Sequence, residues 1–440
     1  MPNAHASPPE YYWDEVPVDS DTTRARFESR SVPVWEQVLA APHSLVTLPL
    51  RLTSAVAGKS ITWLDDSGTA HRVAALLGPR RGPLGVRLNV SMGGLSGYGA
   101  GLRLEHDAFP GPENQLRCGF LSTLEGGHRA RAGLRTRVGG DTRLEFGVGY
   151  RFRPNARFFG MGPGASVEKE SFYSQALFWG GVSGRRTLSE QLGVTGTLVF
   201  SSVESRRAPA SDRVGVAERF SGQLPPGYGQ RSSGFSAGVR LGWDTTLEDR
   251  RPTSGGLWRL GVNAFQASDD ADLQYWSYRA EVQRFIPLWH SYRCLAARAY
   301  LSCAEVLQGE DIPFQRLLTN DDPDLLRGYG DFRWRDRGMI ALSLEYRWPL
   351  WNFKSADGLG ADWYMLSDVG QVFGEYREIG PAHWTWSRGL GIRLLSDRRY
   401  VGRLEFAWSD EAWTFRIRTD QLFQFSAAGL FEGRDPVPER

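Results

Sequence analysis

The sequence predicts an all-β protein, a 16-stranded antiparallel transmembrane β-barrel that follows a short N-terminal periplasmic segment. Three observations predict this fold. From position 83 onward, segments of about ten residues alternate apolar and polar side chains, as the strands of a membrane barrel do. These segments number sixteen, which is even, and long connections between them alternate with short ones.

Composition favours strands over helices. The 440 residues include 51 glycines, and aromatic residues make up 12% of the chain, a mixture that suits many strands and turns. The mean hydropathy is −0.38. No window of about eighteen residues is free of charge, so hydropathy excludes a transmembrane helix. A membrane barrel remains possible, because its alternating strands keep the mean hydropathy low.

Charge argues against a nucleic-acid partner. The net charge is +2, acidic and basic residues are interspersed, and there is no polybasic arm. Only Lys59, Lys169 and Lys354 are lysines, so the cations are nearly all arginines. Arginine pairs with carboxylates through two parallel hydrogen bonds in a confined space. A GC-rich genome explains the same composition without a functional reason.

The three cysteines do not suggest a disulfide framework. Cys294 and Cys303 are expected at opposite ends of one strand, roughly 30 Å apart and beyond disulfide reach. We therefore expect these two and Cys118 to be unpaired.

Residues 1–82 form the predicted periplasmic segment. Residues 1–33 are polar and contain prolines, which predicts an extended or disordered stretch. Residues 34–58 are apolar and broken by Pro42 and Pro49, which predicts one or two short helices against the barrel or the membrane surface. Ala4-His5-Ala6 is compatible with the end of a signal peptide.

Residues 83–425 form the predicted barrel. In the segment 402–408, Leu404 and Phe406 lie on one face while Arg403 and Glu405 lie on the other, a period of two and not 3.6. The sixteen predicted strands are 84–91, 97–106, 114–122, 128–137, 142–152, 171–181, 192–204, 232–244, 256–266, 275–285, 294–304, 339–347, 362–373, 386–396, 401–409 and 412–419.

Connection lengths orient this barrel. If both chain ends are periplasmic, the outward connections include the longest ones, 153–170, 205–231 and 305–338, and the longest inward one is 348–361. Tryptophans lie near strand ends, as an interfacial belt requires: Trp243, Trp258, Trp276, Trp348, Trp386, Trp408 and Trp413. A soluble all-β protein also alternates, but it does not need so many strands of equal length with aromatic residues at their ends.

One segment carries a family resemblance. Residues 317–350 contain Arg327-Gly328-Tyr329, followed by Glu345 and Arg347, and the next strand contains Leu366-Ser367-Asp368-Val369-Gly370. This order resembles the BamA/TamA superfamily of outer-membrane assembly and two-partner-secretion barrels. In that family a long sixth outer loop carries an Arg-Gly-aromatic tip, the strand after it a Glu-x-Arg pair, and the next strand an aromatic-x-Asp-x-Gly element, whose aromatic residue is Leu366 here.

Other elements agree with the resemblance. Trp243-Asp244-Thr245, Asp249-Arg250 and Pro252-Thr253-Ser254-Gly255 are similar to a turn before the middle of the family barrel. Residues 157–162, Arg-Phe-Phe-Gly-Met-Gly, resemble a loop of members that lack POTRA modules. The resemblance covers roughly residues 83–425.

The same residues predict a lock inside the barrel. Alternation places Glu345 and Arg347 on the lumen face of their strand, and Asp368 shares a face with Leu366. If the loop folds into the barrel, Arg327 is expected to pair with Asp368 and Glu345 through charge-assisted, bidentate contacts.

The two residues that follow Arg327 at the loop tip also have predicted roles. Gly328 is expected to allow a tight turn, and Tyr329 to pack the tip. The alternative is that Arg327 is a solvated loop charge and that Asp368 merely lines a pore.

Two departures from the family bear on function. Residues 1–82 lack the β-α-α-β-β pattern of POTRA modules, so client delivery through such modules is not expected. The family barrel ends on an aromatic residue, a part that Phe423 or Phe425 is expected to play before the tail 426–440. The last strand, with Phe415 and Ile417, is expected to form a lateral seam with the first.

The sequence offers no chemistry of an enzyme. Gly97, Gly99 and Gly101 precede no helix and do not form a nucleotide loop. There is no Gly-x-Ser-x-Gly elbow, and the seven histidines lack zinc-ligand spacing, so we expect no catalytic residue, cofactor or metal. Residues 320–324, Asn-Asp-Asp-Pro-Asp, are a solvated turn more readily than a calcium site. His383 with Ser387 is the only faint hydrolase pair.

The resemblance implies a barrel of the bacterial outer membrane that helps insert polypeptides or lipids, or moves a polypeptide across. The alternative is a structural barrel that anchors a periplasmic or surface partner. A passive pore is a third hypothesis, opposed by a loop that fills the lumen. The expected partners are outer-membrane lipids, client outer-membrane proteins, and periplasmic or lipoprotein partners, bound to a monomeric barrel or to one subunit of a hetero-complex.

Overall fold

A computed structural model of the chain describes residues 84–92, 98–209, 213–246, 252–269, 272–288, 293–309, 311–320, 325–352, 359–396 and 400–418. Nearly all of them belong to one compact unit, residues 74–287 with 294–440. A second unit, residues 1–73 with 288–293, lies almost wholly outside the described residues, as do the predictions for 1–82 and for the tail 426–440.

The described chain is almost entirely strand. The strands are β1 Leu84–Met92, β2 Tyr98–His106, β3 Asn114–Thr123, β4 His128–Val138, β5 Thr142–Phe158, β6 Ser171–Thr187, β7 Leu192–Arg207, β8 Arg231–Asp244, β9 Gly255–Ala267, β10 Gln274–Pro287, β11 Cys294–Gln308, β12 Leu318–Thr319, β13 Arg335–Asp336, β14 Gly338–Asn352, β15 Leu359–Phe373, β16 Thr385–Ser396, β17 Tyr400–Ser409 and β18 Trp413–Arg418. One short α-helix, α1, spans Val216–Arg219. Short 3₁₀ helices span Val167–Lys169, Phe314–Arg316, Tyr376–Glu378 and Pro381–His383.

Sixteen of these strands form one antiparallel sheet in chain order, β1 to β11 and then β14 to β18. The two remaining strands, β12 and β13, pair with each other in the connection between β11 and β14. Each predicted segment overlaps one strand of the large sheet, so the predicted all-β, sixteen-stranded fold is confirmed. In the described part of the chain, no helix is long and apolar enough to span a membrane.

Several strands extend beyond their predicted ends. β5 continues to Phe158, β6 to Thr187 and β11 to Gln308, so these hairpins project past the length that crosses a bilayer. Cys303 consequently lies inside β11 and not at its end, which corrects that expectation. All three cysteines are free.

The two faces of the sheet are inverted relative to a soluble protein. Apolar side chains such as Leu198, Phe235 and Val239 are exposed, whereas charged side chains such as Glu281 and Arg298 are buried. A soluble protein rarely exposes so much apolar surface, whereas a membrane barrel exposes such a surface to lipid. The charged faces therefore lie inside and the apolar faces outside.

The sheet curls around the connection between β11 and β14. Arg333 in that connection donates to the carbonyl of Ala165, after β5, at 2.8 Å and to Glu411, before β18, at 2.5 Å. In a flat sheet with a strand spacing of about 4.8 Å these two partners would lie roughly 50 Å apart. One guanidinium reaches both because the sheet wraps into a barrel around the connection.

Tryptophans mark many strand ends. Trp243 and Trp258 stack across β8 and β9 with ring centroids 4.7 Å apart, and Trp386 and Trp413 are exposed at the starts of β16 and β18. Trp348 differs, because it is nearly buried and stacks on Trp363.

The inverted faces predict opposite responses to one inserted charge. Leu198 faces outward near the middle of β7, whereas the adjacent Thr197 shares the inward face with the buried Val199. We expect Leu198→Arg to lower the free energy of unfolding in lipid vesicles by about 2–4 kcal/mol and Thr197→Arg by about 1 kcal/mol or less. Denaturant unfolding of both variants measures the difference, and equal losses would contradict this assignment of the faces.

Candidate functional site

The connection between β11 and β14, here called the inner loop, occupies the barrel interior. Its described residues are 309, 311–320 and 325–337, and most of their side chains are buried. Phe314 anchors one part of it, packing edge-on against Tyr173 and Phe158 at 4.9 and 5.2 Å between ring centroids. The loop thus acts as the core that the lumen of the barrel would otherwise lack.

Arginines fix the two halves of the inner loop to the wall. Arg316 donates to the hydroxyls of Ser232 at 2.8 Å and Ser201 at 3.1 Å. Arg335 donates to the carbonyl of Phe314 at 2.5 Å and to the Tyr173 hydroxyl at 3.3 Å. Both guanidinium groups are buried, so these bonds replace part of their lost hydration.

At the tip, Arg327 is fully buried among carboxylates. Its Nε and Nη2 donate to the two oxygens of Asp368 at 2.8 and 2.7 Å, and its backbone N–H donates to the same carboxylate at 3.0 Å. Nη1 donates to Glu345 at 2.5 Å and lies 3.4 Å from Glu405. The structure thus brings together the three residues predicted to meet, and it adds Glu405.

The charges around Arg327 balance within the chain. Arg347 donates to the second oxygen of Glu345 at 2.9 Å, and Arg403 donates to Glu405 at 3.0 Å. With Asp368 and Arg327, three carboxylates face three guanidinium groups, all buried. Buried charges are tolerated when they are paired and hydrogen-bonded in this way. The Arg347 position predicted on the lumen face therefore belongs to the same network.

Glu405 also reaches β15 through a tyrosine. The Tyr364 hydroxyl donates to Glu405 at 2.6 Å, although the intervening strand β16 separates their two strands. The Tyr364 side chain crosses β16 over Gly391, where an added Cβ would sit 2.5 Å from the Tyr364 hydroxyl oxygen. Glycine at position 391 therefore opens the space that lets the network cross β16. Neither Tyr364 nor Glu405 was predicted.

Gly328 lies in the predicted tight turn, in which the Tyr329 N–H donates to the Leu326 carbonyl at 2.9 Å. The left-handed backbone conformation falls on Leu326, with φ 56°, and not on Gly328. An added Cβ at Gly328 would lie 2.6 Å from both Ser387 Cβ and the Trp408 carbonyl. Glycine is needed here because the loop backbone lies directly against β16 and β17.

Tyr329 connects the tip to the last hairpin, β17–β18. It is buried, packs edge-on against Trp334 at 5.6 Å, and donates its hydroxyl to Asp410 at 2.7 Å. Burial, and then Asp410, raise the pKa of Tyr329, so the hydroxyl stays protonated and remains a donor.

The backbone of the tip is held by the same hairpin. Thr414 donates to the Arg327 carbonyl at 2.7 Å, and Arg416 donates to the Tyr329 carbonyl at 2.9 Å. Ser409 donates to the Gly328 carbonyl at 3.1 Å. We call these three side chains the hairpin clasp. Sequence reasoning missed it, since Ser, Thr and Arg on a terminal hairpin carry no distinctive signal.

The remaining predicted site residues are placed as follows. Gly370 pairs with Ala341 between β14 and β15, and an added Cβ would lie 2.6 Å from the Ile340 carbonyl. Phe415 and Ile417 are exposed on the outer face of β18. Phe423 and Phe425 lie outside the described residues.

The residues of the possible calcium site and of the possible hydrolase pair do not form either site among the described residues. Asn320 accepts from the Trp334 N–H at 3.0 Å and donates to the Gly330 carbonyl at 3.2 Å, which ties the loop to itself; residues 321–324 lie outside the described residues. Ser387 is buried next to Gly328, whereas His383 lies in the connection after β15. Within the described residues, no group of three or more His, Cys, Asp or Glu side chains is arranged to hold a metal ion.

Comparisons with known proteins agree with this geometry. Residues 141–429 match the model of the Omp85 superfamily domain. A search of curated proteins found no match. Among solved structures, BamA from Haemophilus ducreyi lacking POTRA domains 1–3 is similar with a TM-score of 0.55 and 13% identity, over 78% of this chain and 69% of that one. CdiB from Escherichia coli is similar with a TM-score of 0.50 and 13% identity, over 78% of this chain and 61% of that one.

The ion network predicts a large cost for removing its central charge. Arg327→Met leaves three carboxylates around an apolar group, so we expect a loss of about 3–5 kcal/mol in the free energy of unfolding. The control is Arg337→Met in the same loop, whose pair with Asp311 is solvent-exposed and is expected to contribute less than about 1 kcal/mol. Denaturant unfolding measures both, and similar losses would contradict the network.

The close approach of Gly328 predicts a steric effect on the loop. Gly328→Ala forces the tip away from β16 and β17, and we expect the inner loop to become sensitive to added protease while the barrel stays folded. Gly330→Ala is the matched control, because its nearest neighbour is the end of the flexible Arg157 side chain at 3.2 Å. Limited proteolysis compares the two, and a protected loop in Gly328→Ala would refute the steric argument.

Proposed function

Because the chain belongs to the Omp85 superfamily, whose barrels insert or translocate proteins, we propose that this protein inserts polypeptides into the membrane at a seam between β1 and β18. The protein is a β-barrel of the bacterial outer membrane. The observation that carries the proposal is the clasp that joins the inner loop to the last hairpin, since it links the contents of the lumen to the edge of the sheet.

The two ends of the sheet supply the seam. Neighbouring strands of the sixteen-stranded sheet are all antiparallel. Among the described residues, no backbone pairing joins the first strand of this sheet, β1, to its last strand, β18. Unsatisfied backbone groups are costly in lipid, so an exposed edge binds another strand readily. A client strand that pairs with β1 or β18 satisfies those groups by β-augmentation.

The filled lumen favours the seam over the pore as the route. Arg316, Arg327 and Arg335 of the inner loop are buried and bonded to the wall on several sides. Passage of a polypeptide through the interior would require all of these contacts to break. Insertion at the seam needs only the last strand, β18, to move.

The proposed process makes and breaks noncovalent contacts alone. Strand exchange at an edge needs no catalytic residue, cofactor or metal, because hydrogen bonds of the client replace those lost by the barrel. Outer-membrane lipids surround the apolar face, and the clients are other outer-membrane proteins. A periplasmic or lipoprotein partner would deliver them.

Crosslinking from the outer face tests the seam. A photoreactive phenylalanine analogue at Phe415, on the edge strand, is expected to capture unfolded outer-membrane clients in living cells. The same analogue at Phe235 is the matched control, because it is also exposed but lies on β8 in the middle of the sheet. Mass spectrometry identifies the captured proteins.

Two results would contradict this function. One is equal capture from Phe415 and Phe235, which would indicate contact without an edge preference. The other is an unchanged outer-membrane proteome after deletion of the protein. If deletion leaves the proteome unchanged and a stable stoichiometric partner copurifies, the alternative of a structural barrel that anchors a complex replaces insertion.

A further inference from the structure

A pocket of about 630 Å³ lies at the end of the barrel that carries the inner loop connection, away from the ion network around Arg327. Three parts of the chain line it: residues 161–163 of the β5–β6 connection, Asp336 in β13, and residues of the β15–β16 connection between 374 and 383. We call it the acidic pocket, because the carboxylates of Asp336 and Glu378 line it.

Asp336 is buried at the acidic pocket without a cationic partner. Only 8% of this residue is exposed. Its Oδ1 atom accepts the backbone N–H of Arg337 at 2.8 Å, whereas the Arg337 guanidinium group binds Asp311. Within the described part of the chain, Oδ2 has no hydrogen bond or ion pair, yet it is not sealed from solvent. It faces Gly162, another residue of the pocket, where an added Cβ would lie 3.7 Å from Oδ2.

Glu378 brings a second carboxylate to the same space. A Cβ added to Gly374 would lie 3.6 Å from Asp336 Oδ1 and 3.2 Å from Glu378 Oε2, so both groups border one small region. Glu378 Oε2 accepts the Gly374 N–H at 2.7 Å, and Oε1 has no hydrogen bond among the described residues. Burial raises the pKa of Asp336 to about 6, and the charge of Glu378 adds to this effect. A cation bound here would offset both the lost hydration and the repulsion.

The cationic side chains near the acidic pocket do not neutralise these two groups. Arg377 lines the pocket, but its guanidinium group binds Glu375 at 2.7 Å and its side chain is 81% exposed. No ion pair joins Asp336 or Glu378 to any arginine, lysine or histidine of the described ranges. The acidic pocket therefore has an excess of negative charge, in contrast to the balanced ion network in the barrel interior.

Apolar side chains surround the entrance of the pocket. Met161, Pro381 and Ala382 line it and are exposed, whereas Asp336 lies at its buried end. Ca²⁺ would need six or more oxygen ligands, and no group of three or more His, Cys, Asp or Glu side chains in the described residues is arranged to hold a metal ion. Lysine and arginine combine an apolar stem with a cationic head. Such a side chain matches an apolar entrance that leads to two carboxylates.

We propose that the acidic pocket binds a lysine or arginine side chain of a polypeptide that docks at this end of the barrel. The cationic head donates to Asp336 Oδ2 and Glu378 Oε1, the two oxygens without a partner, and the carbon stem packs against Met161 and Pro381. Both carboxylates thereby gain a charge-assisted hydrogen bond. The pocket is separate from the seam between β1 and β18, so this binding does not depend on the insertion of clients.

Peptide binding to the purified full-length barrel in detergent tests the proposal. The probes are blocked tripeptides with glycine on both sides of lysine, arginine or norleucine, together with calcium chloride and spermidine. Each is titrated by NMR at pH 8, well above the pKa of Asp336, so that this carboxylate is ionised. We expect the lysine or the arginine peptide to bind at least about tenfold more tightly than the norleucine peptide, which has the apolar stem but no charge.

Variants assign the binding to the acidic pocket. Asp336→Asn removes one charge with little change of shape and is expected to weaken binding of the cationic peptide about tenfold. Gly374→Ala keeps both charges but places a methyl group between them, and a similar loss is expected. It keeps the test decisive if Asp336→Asn fails to fold. Glu218→Gln is the matched control, because it removes an exposed carboxylate in the β7–β8 connection, outside the pocket, and leaves the affinity unchanged.

Three results would overturn the proposal. The first is equal binding of the norleucine peptide, which would show that the charge is not recognised. The second is unaltered binding of the cationic peptides in both Asp336→Asn and Gly374→Ala. The third is tighter binding of calcium or spermidine than of both cationic peptides, lost in the same two variants, which would make a small free cation the ligand of the pocket.

Discussion

The interior of this barrel depends on the ion pairs of the buried Arg327 guanidinium group. A charge removed from water is tolerated only when other charges and hydrogen bonds replace the solvent. Here Asp368 and Glu345 bind it directly, and Arg347 and Arg403 neutralise the carboxylates that surround it. No single pair suffices, so the position of the inner loop is set by the whole network. Its participants come from β14, β15 and β17, and they converge only because the sheet is curved.

Small residues decide how closely the loop and the wall approach. Gly328 brings the loop backbone against β16 and β17, and Gly391 leaves room for the Tyr364 ring to cross β16 and reach Glu405. A side chain at either position would separate charged groups that must stay within hydrogen-bonding distance. The glycines therefore allow the loop and the wall to approach closely, and the charged groups then form the bonds that hold them together.

The sequence predicted the fold and part of the site for clear physical reasons. Alternation along a strand is local, so the sixteen strands and the lumen-facing positions of Glu345 and Arg347 followed from the residues alone, and Asp368 was placed on the same face as Leu366. Glu405, Tyr364 and the hairpin clasp did not, because they meet Arg327 only through the curvature of the sheet across four strands. The predicted tight turn at Gly328 is present, but φ 56° falls on Leu326, so the need for glycine arises from a distant neighbour and not from the turn. Contacts between residues so far apart in the sequence cannot be predicted from residue spacing.

The contacts of the inner loop differ in how they respond if the seam opens. Those with β14 and β15 are charge-assisted and fully buried, so their loss would leave carboxylates without partners. Those with β18 are the bonds from Thr414 and Arg416 to loop carbonyls and an ion pair of Arg416 with Asp331 at 3.3 Å, whose side chains are both partly exposed. Hydrogen bonds of this kind contribute about 0.5–3 kcal/mol each. Movement of β18 exposes only groups that water or a client strand satisfies again. The loop is therefore built to stay in place while the last strand leaves, which is the arrangement that exchange at an edge requires.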